Sequence, residues 1–253
     1  NGNTTSLLRR PVFWYTGRCF AAIHPMIDLY TLIGEPTDGK LDGRPAMNIL
    51  NGVDASRYPL HAPRPDDPQL HLLALASMSR WQGYDRLIRA MAGSGADVVL
   101  HMAGGEGDGS LAEWKRLARE LGVGERVIFE GEKHGAELDE LAARCDVGVG
   151  GLGLYRKGQL RSMTLKLREY MARGLPFVYA VDDPSIPDEP RFCLRIPNDD
   201  SLPDLDAIAA FAARAKHDTE TPRRMRAYAA EHLSWTSILK PVLERVNITC
   251  REP

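Results

Sequence analysis

Three loops of the sequence carry residue types that could bind a phosphate or a nucleotide. The first is the glycine-rich stretch 103–109, which follows an apolar run and leads into a helical pattern. Glycine lets a backbone approach a ligand closely, and the N–H groups at a helix start attract anions. The stretch has neither the lysine of a phosphate-binding P-loop nor a GxGxxG fingerprint after the first strand, so a plain tight turn is the alternative.

The second loop, residues 147–155, is also rich in glycine. The residues that follow it combine hydroxyls, cations and the start of a helical pattern: Arg161, Ser162, Thr164, Leu165 and Lys166. A helix that starts near Thr164 would offer its N–H groups to a diphosphate, assisted by Lys166 and Arg161. Glu169 follows on roughly the face of Lys166, where a carboxylate can accept hydrogen bonds from two ribose hydroxyls. The alternative is a surface Lys–Glu pair worth a few tenths of a kcal/mol.

A third loop, residues 77–83, carries Arg80, which could clamp a phosphate or could simply be solvated. The seven histidines are dispersed and show no HxxxH spacing, so no metal site is expected. The sequence has no GxSxG nucleophile elbow, which argues against a serine hydrolase. The chemistry that remains is the binding of a phosphorylated ligand by backbone amides, cations and a carboxylate.

The elements that must position these loops alternate between strand and helix, as in βαβ units. The apolar runs predict strands at residues 47–50, 70–77, 97–102, 126–129, 147–149 and 177–181. The helical spacing predicts helices at residues 84–91, 110–121, 136–144, 165–173, 205–216, 223–231 and 238–246. Ser110 is predicted to cap its helix, with Glu113 completing a capping box. The strands and helices together predict an α/β fold with one doubly wound parallel sheet and a ligand site at the carboxyl ends of its strands.

Length, charge and composition exclude several classes of protein. The 253 residues include 32 basic and 34 acidic side chains, and 43% of the chain is hydrophobic, as in an ordinary globular protein. A net charge of −2 offers no whole-molecule attraction for nucleic acid. No run reaches the roughly 18–20 apolar residues of a membrane span, and the amino end lacks the pattern of a signal peptide. Four scattered cysteines indicate a reducing, cytoplasmic setting rather than a disulfide scaffold.

Five segments in order resemble the carboxy-terminal half of a GT-B glycosyltransferase: residues 51–54, 80–88, 103–107, 126–131 and 166–176. More narrowly, residues 46–245 resemble the large retaining family four, the "group 1" transferases, on a branch found in bacterial surface-polysaccharide clusters. The resemblance implies a Rossmann-like domain at residues 46–253 that binds a nucleoside-diphosphate sugar, with UDP or GDP as the nucleotide and no metal or cofactor. Residues 1–45 are then a remnant of, or a linker from, an amino-terminal acceptor domain that is otherwise missing.

The resemblance also implies roles for individual residues. Arg80 lies near the position of a phosphate-binding cation, and Lys166 falls where the diphosphate meets the helix start. Glu169 matches the second glutamate of the family's E-x7-E motif, which holds the ribose. Arg80, Lys166 and Glu169 are therefore the expected catalytic residues. The nucleotide-binding residues that the resemblance implies are Gly104, Gly105, Glu130, Gly131, Lys133, Arg161, Ser162, Thr164, Leu165 and Glu169.

Because the sequence departs from the family pattern at two positions, two alternative functions remain open. Gln82 stands where many members have a lysine, and Arg161 stands where the first glutamate of E-x7-E would be. The first function is a hexosyltransferase-type enzyme of polysaccharide or glycoconjugate biosynthesis that acts on a glycan or lipid-linked acceptor. The second is a non-catalytic relative that binds nucleotide or serves as a scaffold. A dehydrogenase is disfavoured, because the dinucleotide fingerprint is absent.

The missing domain affects activity and location as well. Without an acceptor domain to close over the donor and exclude water, the fragment alone is expected to be weak or inactive. We expect a cytoplasmic protein with no nucleic-acid partner. A peripheral association with the inner face of the membrane, through the absent domain, stays open.

Overall fold

The computed structural model describes residues 10–33, 38–189 and 191–246. The chain divides into two compact units, the larger being Leu50–Leu239 and the smaller comprising Asn1–Ile49 and Lys240–Pro253. Cys250, one of the four cysteines used in the redox argument, lies outside the described residues.

In the smaller unit the strand predicted at residues 47–50 is found at residues 44–49, whereas the elements before it were not predicted. Helix α1 (Arg10–Ile23) precedes a three-stranded sheet in the order β1-β3-β2, formed by β1 (Tyr30–Ile33), β2 (Lys40–Leu41) and β3 (Arg44–Ile49). Strand β1 runs parallel to β3, and β2 runs antiparallel to it. Every side chain of α1 from residue 14 onward is exposed, so the helix has no buried stripe whose spacing could have indicated it.

The larger unit is built on a six-stranded sheet in the order β6-β5-β4-β7-β8-β9. Its strands are β4 (Leu70–Leu75), β5 (Val98–Ala103), β6 (Val127–Gly131), β7 (Val147–Val149), β8 (Phe177–Tyr179) and β9 (Cys193–Arg195). All of their pairings are parallel. The predicted α/β class and doubly wound parallel sheet are confirmed. Strand β9 was not predicted, because its three residues include only one buried side chain.

The remaining helices lie within a few residues of their predicted positions. They are α2 (Tyr84–Gly93), α3 (Ser110–Glu120), α4 (Gly135–Ala143), α5 (Leu165–Arg173), α6 (Leu205–His217), α7 (Thr221–His232) and α8 (Trp235–Arg245). None of the described helices combines the length and the apolar character that crossing a bilayer requires.

The capping box predicted at the start of α3 is wrong. Gly109, with φ 91°, is the N-cap, and Ser110 is the first helical residue. The carboxylate of Asp108 accepts hydrogen bonds from the Ser110 hydroxyl at 2.6 Å and from the Ser110 N–H at 3.3 Å. The side chain of Asp108, two residues before Ser110, thus accepts the hydrogen bonds at the start of α3, where the sequence pattern predicted a capping box of Ser110 and Glu113.

Two apolar clusters hold helices against the sheet, and β4 contributes to both. Leu72 and Ala74 belong to the cluster that includes residues of α2, α3 and α6. Leu73, between them, belongs to the cluster that includes residues of α5 and α7. Since successive side chains of a strand point to opposite faces, β4 is buried on both sides, as the central strand of a doubly wound sheet must be.

Candidate functional site

A cleft of about 350 Å³ lies at the carboxyl ends of three neighbouring strands. It is lined by residues 75–77 after β4, residues 103–106 after β5 and residues 132–134 after β6, with Leu138 of α4 and Glu169 of α5. Four of the predicted site residues line it: Gly104, Gly105, Lys133 and Glu169. In doubly wound sheets this edge is where ligands bind.

Glu169 brings an unpartnered carboxylate to the cleft. Its side chain is half-buried, and burial raises its pKa, although the cations Arg173 and Lys166 act in the opposite direction. Among the described residues, none donates a hydrogen bond to this carboxylate. A carboxylate withdrawn from water but left without donors is well suited to accept hydrogen bonds from the hydroxyls of a ligand.

Gly104 lets the glycine-rich loop lie against two strands at the floor of the cleft. Its N–H donates to the carbonyl of Gly131 at 2.8 Å, and its φ is 143°. A Cβ at this position would lie 1.7 Å from the carbonyl oxygen of Ala76, which is backbone and cannot rotate away. Close backbone approach is therefore the physical reason for glycine at this position.

We expect Gly104→Ala to destabilise the protein by about 2–4 kcal/mol, because the strands must separate to admit the methyl group. Gly109→Ala is the matched control, since Gly109 also has positive φ (91°) but has nothing within 4 Å of an added Cβ. The control should lose only about 1 kcal/mol, the conformational cost alone. Urea unfolding followed by circular dichroism measures both, and equal losses would contradict the close-approach argument.

The amides of the glycine-rich loop are already used within the loop. One carboxylate oxygen of Glu106 accepts hydrogen bonds from the N–H groups of Gly107 at 2.8 Å, Asp108 at 3.1 Å and Gly109 at 2.8 Å. These bonds lower the pKa of Glu106 against the opposing effect of burial. The start of α3 is thus occupied by the protein's own carboxylates, which favours the tight-turn interpretation of residues 103–109 over an anion site.

The start of α5 differs, because no side chain caps it. Thr164 is the N-cap residue, yet its hydroxyl makes no cap bond and is buried without a partner. The first turn contains no acidic residue. The preceding carbonyl, that of Met163, accepts a hydrogen bond from the Asn51 amide at 2.7 Å, which fixes the approach of the chain. Of these two helix starts, α5 is the one that leaves its positive end open.

Lys166 lies in the first turn of α5 and reaches across to the segment that follows β4. Its amine donates to the Gln82 side-chain oxygen at 2.7 Å and to the Tyr84 hydroxyl at 2.9 Å. Burial lowers the pKa of Lys166 to about 7, and the charge of Glu169 acts weakly against this. Among the described residues, Lys166 and Glu169 form no ion pair, so the surface pair considered as an alternative is absent.

The α5 start is held in place by a buried ion pair. The guanidinium of Arg168 donates to the Asp183 carboxylate at 2.5 and 3.1 Å, and both side chains are fully buried. The same guanidinium donates to the carbonyls of Thr164 at 3.0 Å and Asn51 at 3.2 Å. Sequence reasoning missed Arg168, Asp183 and Asn51, because a buried pair on two distant segments leaves no local spacing signal.

The other predicted residues lie outside the cleft lining. The Arg80 side chain is exposed, while its backbone N–H donates to Asp108 at 3.0 Å. The Glu130 carboxylate is bonded to His101 at 2.8 Å. Gly131 contributes its carbonyl to Gly104, as described above. The Arg161 guanidinium donates to the Asp182 carboxylate at 2.9 Å, and the Ser162 N–H donates to the Asp182 backbone carbonyl at 2.9 Å. The Leu165 side chain is exposed. The described residues contain no group of three or more His, Cys, Asp or Glu side chains placed to hold a metal ion.

A family profile described as "Glycosyl transferases group 1" matches residues 62–189, about half of the chain. The chain belongs to this family. The matched residues of this group 1 chain contain β4 to β8 and the whole lining of the cleft. The resemblance to the group 1 transferases stated from the sequence is confirmed.

Solved structures share the fold of the group 1 chain at low identity. HepE from Anabaena, solved in complex with UDP, is 19% identical with a TM-score of 0.63, over 80% of this chain and 57% of HepE. TarM is 18% identical with a TM-score of 0.64, over 92% of this chain and 46% of TarM. The lipopolysaccharide outer core galactosyltransferase WaaB is 14% identical with a TM-score of 0.58, over 82% of this chain and 57% of WaaB. The chain thus spans less than two thirds of each of these proteins. No curated protein sequence matches it significantly.

Proposed function

We propose that the chain binds the nucleoside-diphosphate sugar donor of a glycosyltransferase and holds it for transfer to an acceptor hydroxyl. The observation that carries this proposal is the pairing of an uncapped helix start at Thr164 with an unpartnered carboxylate, Glu169, on the same helix. A nucleoside diphosphate offers a ribose diol and a diphosphate a few ångströms apart, which are the complements of these two groups.

The donor is proposed to lie along the edge of the sheet from β6 to α5. The base occupies the cleft between the glycine-rich loop at Gly104 and Gly105 and the segment at Lys133. The ribose hydroxyls donate to Glu169, and the diphosphate accepts from the amides near Thr164 and Leu165. The UDP complex of HepE supports a donor of this class. Glu130 has no part in the proposal, because its carboxylate is bonded to His101.

Catalysis would rest on the charge that develops on the leaving diphosphate. The positive end of α5, the amine of Lys166 and the exposed guanidinium of Arg80 are the groups proposed to stabilise it. Transfer with retention and an acceptor in polysaccharide or glycoconjugate biosynthesis are proposed from the sequence resemblance. The shared fold of the galactosyltransferase WaaB is compatible with such an acceptor and with transfer of a hexose.

We expect calorimetry to detect binding of UDP or GDP to the chain, and Glu169→Gln to weaken that binding at least tenfold. The amide replaces one of the two acceptor oxygens by an NH2 donor and carries no charge, and a lost charge-assisted hydrogen bond is worth about 1.5–3 kcal/mol. Glu140→Gln, at an exposed carboxylate of α4 outside the cleft lining, is the matched control and should bind like the wild type. ADP serves as a comparison nucleotide.

Stability measurements separate a lost ligand contact from a lost fold. Because burial raises the pKa of Glu169, its ionised form costs folding free energy at neutral pH, so Glu169→Gln should be as stable as the wild type or up to about 1 kcal/mol more stable. The gain should vanish as the pH falls below about 4, where the carboxyl is protonated in both states. If the wild type binds none of the three nucleotides, the proposal is wrong. If it binds donor but, supplied with an acceptor domain, transfers no sugar, the binding-only alternative is favoured.

A further inference from the structure

Two arginines converge on one aspartate beyond the carboxyl ends of the last two strands. Arg161 Nε lies 2.9 Å from Asp182 Oδ2, and an Arg195 terminal nitrogen lies 3.1 Å from Asp182 Oδ1. The arginine side chains are 63% and 54% exposed, whereas Asp182 is 34% exposed. We call Arg161, Arg195 and the aspartate between them the Asp182 arginine pair.

The backbone fixes the position of the Asp182 arginine pair. The N–H of Asp182 donates to the carbonyl of Leu160 at 3.1 Å, and the N–H of Ser162 donates to the carbonyl of Asp182 at 2.9 Å. Arg161 thus stands in a parallel bridge with Asp182, and Arg195 is the last residue of β9. Both cations are therefore placed by main-chain hydrogen bonds at the edge of the sheet where ligands of this fold class bind.

The Asp182 arginine pair carries a net charge of +1, because its two guanidinium groups share a single carboxylate. Asp182 is the sole carboxylate within 4.0 Å of either guanidinium among the described residues, and the neighbouring Asp183 is taken up by Arg168. Each arginine uses one nitrogen on Asp182, so the remaining N–H groups are available. Two guanidinium groups with free N–H donors and a net charge of +1 match a planar carboxylate.

We propose that the Asp182 arginine pair binds the carboxylate of an acidic sugar, so that the preferred donor is a nucleotide-linked uronic acid. The inference rests on the proposed function, which places the diphosphate at Thr164, three residues after Arg161. The transferred sugar is attached to that diphosphate and lies next along the same edge. A neutral hexose has no group to neutralise the net positive charge, whereas the carboxylate of a uronic acid forms an ion pair with it.

Calorimetry on the full chain tests the proposal by the ratio of two affinities. UDP-glucose and UDP-glucuronate differ at one position of the sugar, and GDP-mannose and GDP-mannuronate form the equivalent pair if GDP is the better nucleotide. At low salt the wild type should bind the acidic donor about three- to fivefold more tightly, as expected for an exposed, charge-assisted contact. The preference should shrink in 0.5 M NaCl, where charges are screened within about 4 Å.

Arg161→Gln should bring the ratio to about one. The matched control is Arg191→Gln, because Arg191 is 54% exposed, against 63% for Arg161, and pairs with a single carboxylate, Glu189, at 3.2 Å. This variant should keep the wild-type ratio. Equal binding of the two donors by the wild type, with UDP binding intact, would overturn the inference and leave the proposed function standing. A preference that survives in Arg161→Gln would overturn it as well. Absence of UDP and GDP binding would overturn the proposed function and this inference together.

Discussion

The affinity for UDP should fall by up to about tenfold per pH unit above pH 7, because the proposed contact between Lys166 and the diphosphate needs the charged amine. Burial among the neutral oxygens of Gln82 and Tyr84 lowers the pKa of the free amine to about 7, from an ordinary value of 10.5. An arriving diphosphate favours the ammonium form and raises that pKa. Binding should therefore take up a fraction of a proton near pH 7, and this fraction should approach one as the pH rises.

Calorimetry in buffers of different ionisation enthalpy measures this proton uptake directly. Lys166→Arg is the informative variant, because a guanidinium stays charged across the whole range. Its UDP affinity should be nearly constant from pH 7 to pH 9, with no proton taken up. A wild-type protein that binds UDP without proton uptake at pH 8 would show that Lys166 does not serve the diphosphate.

The same pKa shift makes the stability of the ligand-free protein depend on pH. Between pH 7 and about 10 the unfolded chain holds a proton on Lys166 that the folded chain has released, so the free energy of unfolding should rise with pH over this window. Below pH 7 Lys166 is protonated in both the folded and the unfolded state, and burial of its charge lowers the free energy of unfolding by the full amount. Thermal or urea unfolding of Lys166→Met should lack this rise.

Asp183→Ala should destabilise the larger unit by about 3–5 kcal/mol, because it leaves the guanidinium of Arg168 buried without its counter-ion. Urea unfolding measures the loss. The control is Glu189→Ala, which removes the carboxylate of an exposed ion pair with Arg191 and should cost less than about 1 kcal/mol. The double variant Arg168→Met with Asp183→Leu should recover much of the loss, since no charge is then buried. A small effect of Asp183→Ala would mean that water reaches the guanidinium of Arg168 once its partner is removed.

The sequence predicts the elements around the site well where local signals coincide. Strand β7 and helix α5 have their predicted limits, because an apolar run of three residues and a helix stopped by Gly174, with φ 69°, are both encoded by neighbouring residues. The position of Glu169 on α5 follows from these limits alone. The cleft that receives its carboxylate also involves the ends of β4, β5 and β6, whose convergence the parallel sheet order predicts.

What the sequence leaves out are partnerships between distant segments. The spacing of Lys166 and Glu169 leaves a pair on one helix open as an alternative, whereas the lysine reaches Gln82 and Tyr84 instead. Glu130 is expected to follow its strand, whereas it lies within β6 and its carboxylate is hydrogen-bonded to His101 of the neighbouring strand β5. The hydrogen-bond partner of each side chain depends on packing across the sheet, and no local sequence pattern encodes that packing.

The strand order of the larger unit has a consequence for when the proposed donor site can form. Strand β4 is central, with β5 and β6 added on one side and β7 to β9 on the other, so the chain winds outward in one direction and then returns to wind in the other. The cleft floor belongs to the first winding, and α5 follows the first strand of the second. During folding or synthesis, the first winding could assemble early, but it would lack Glu169 and the open helix start. The proposed nucleotide binding therefore requires the completion of both windings, and protection by nucleotide against unfolding should appear late in the folding reaction.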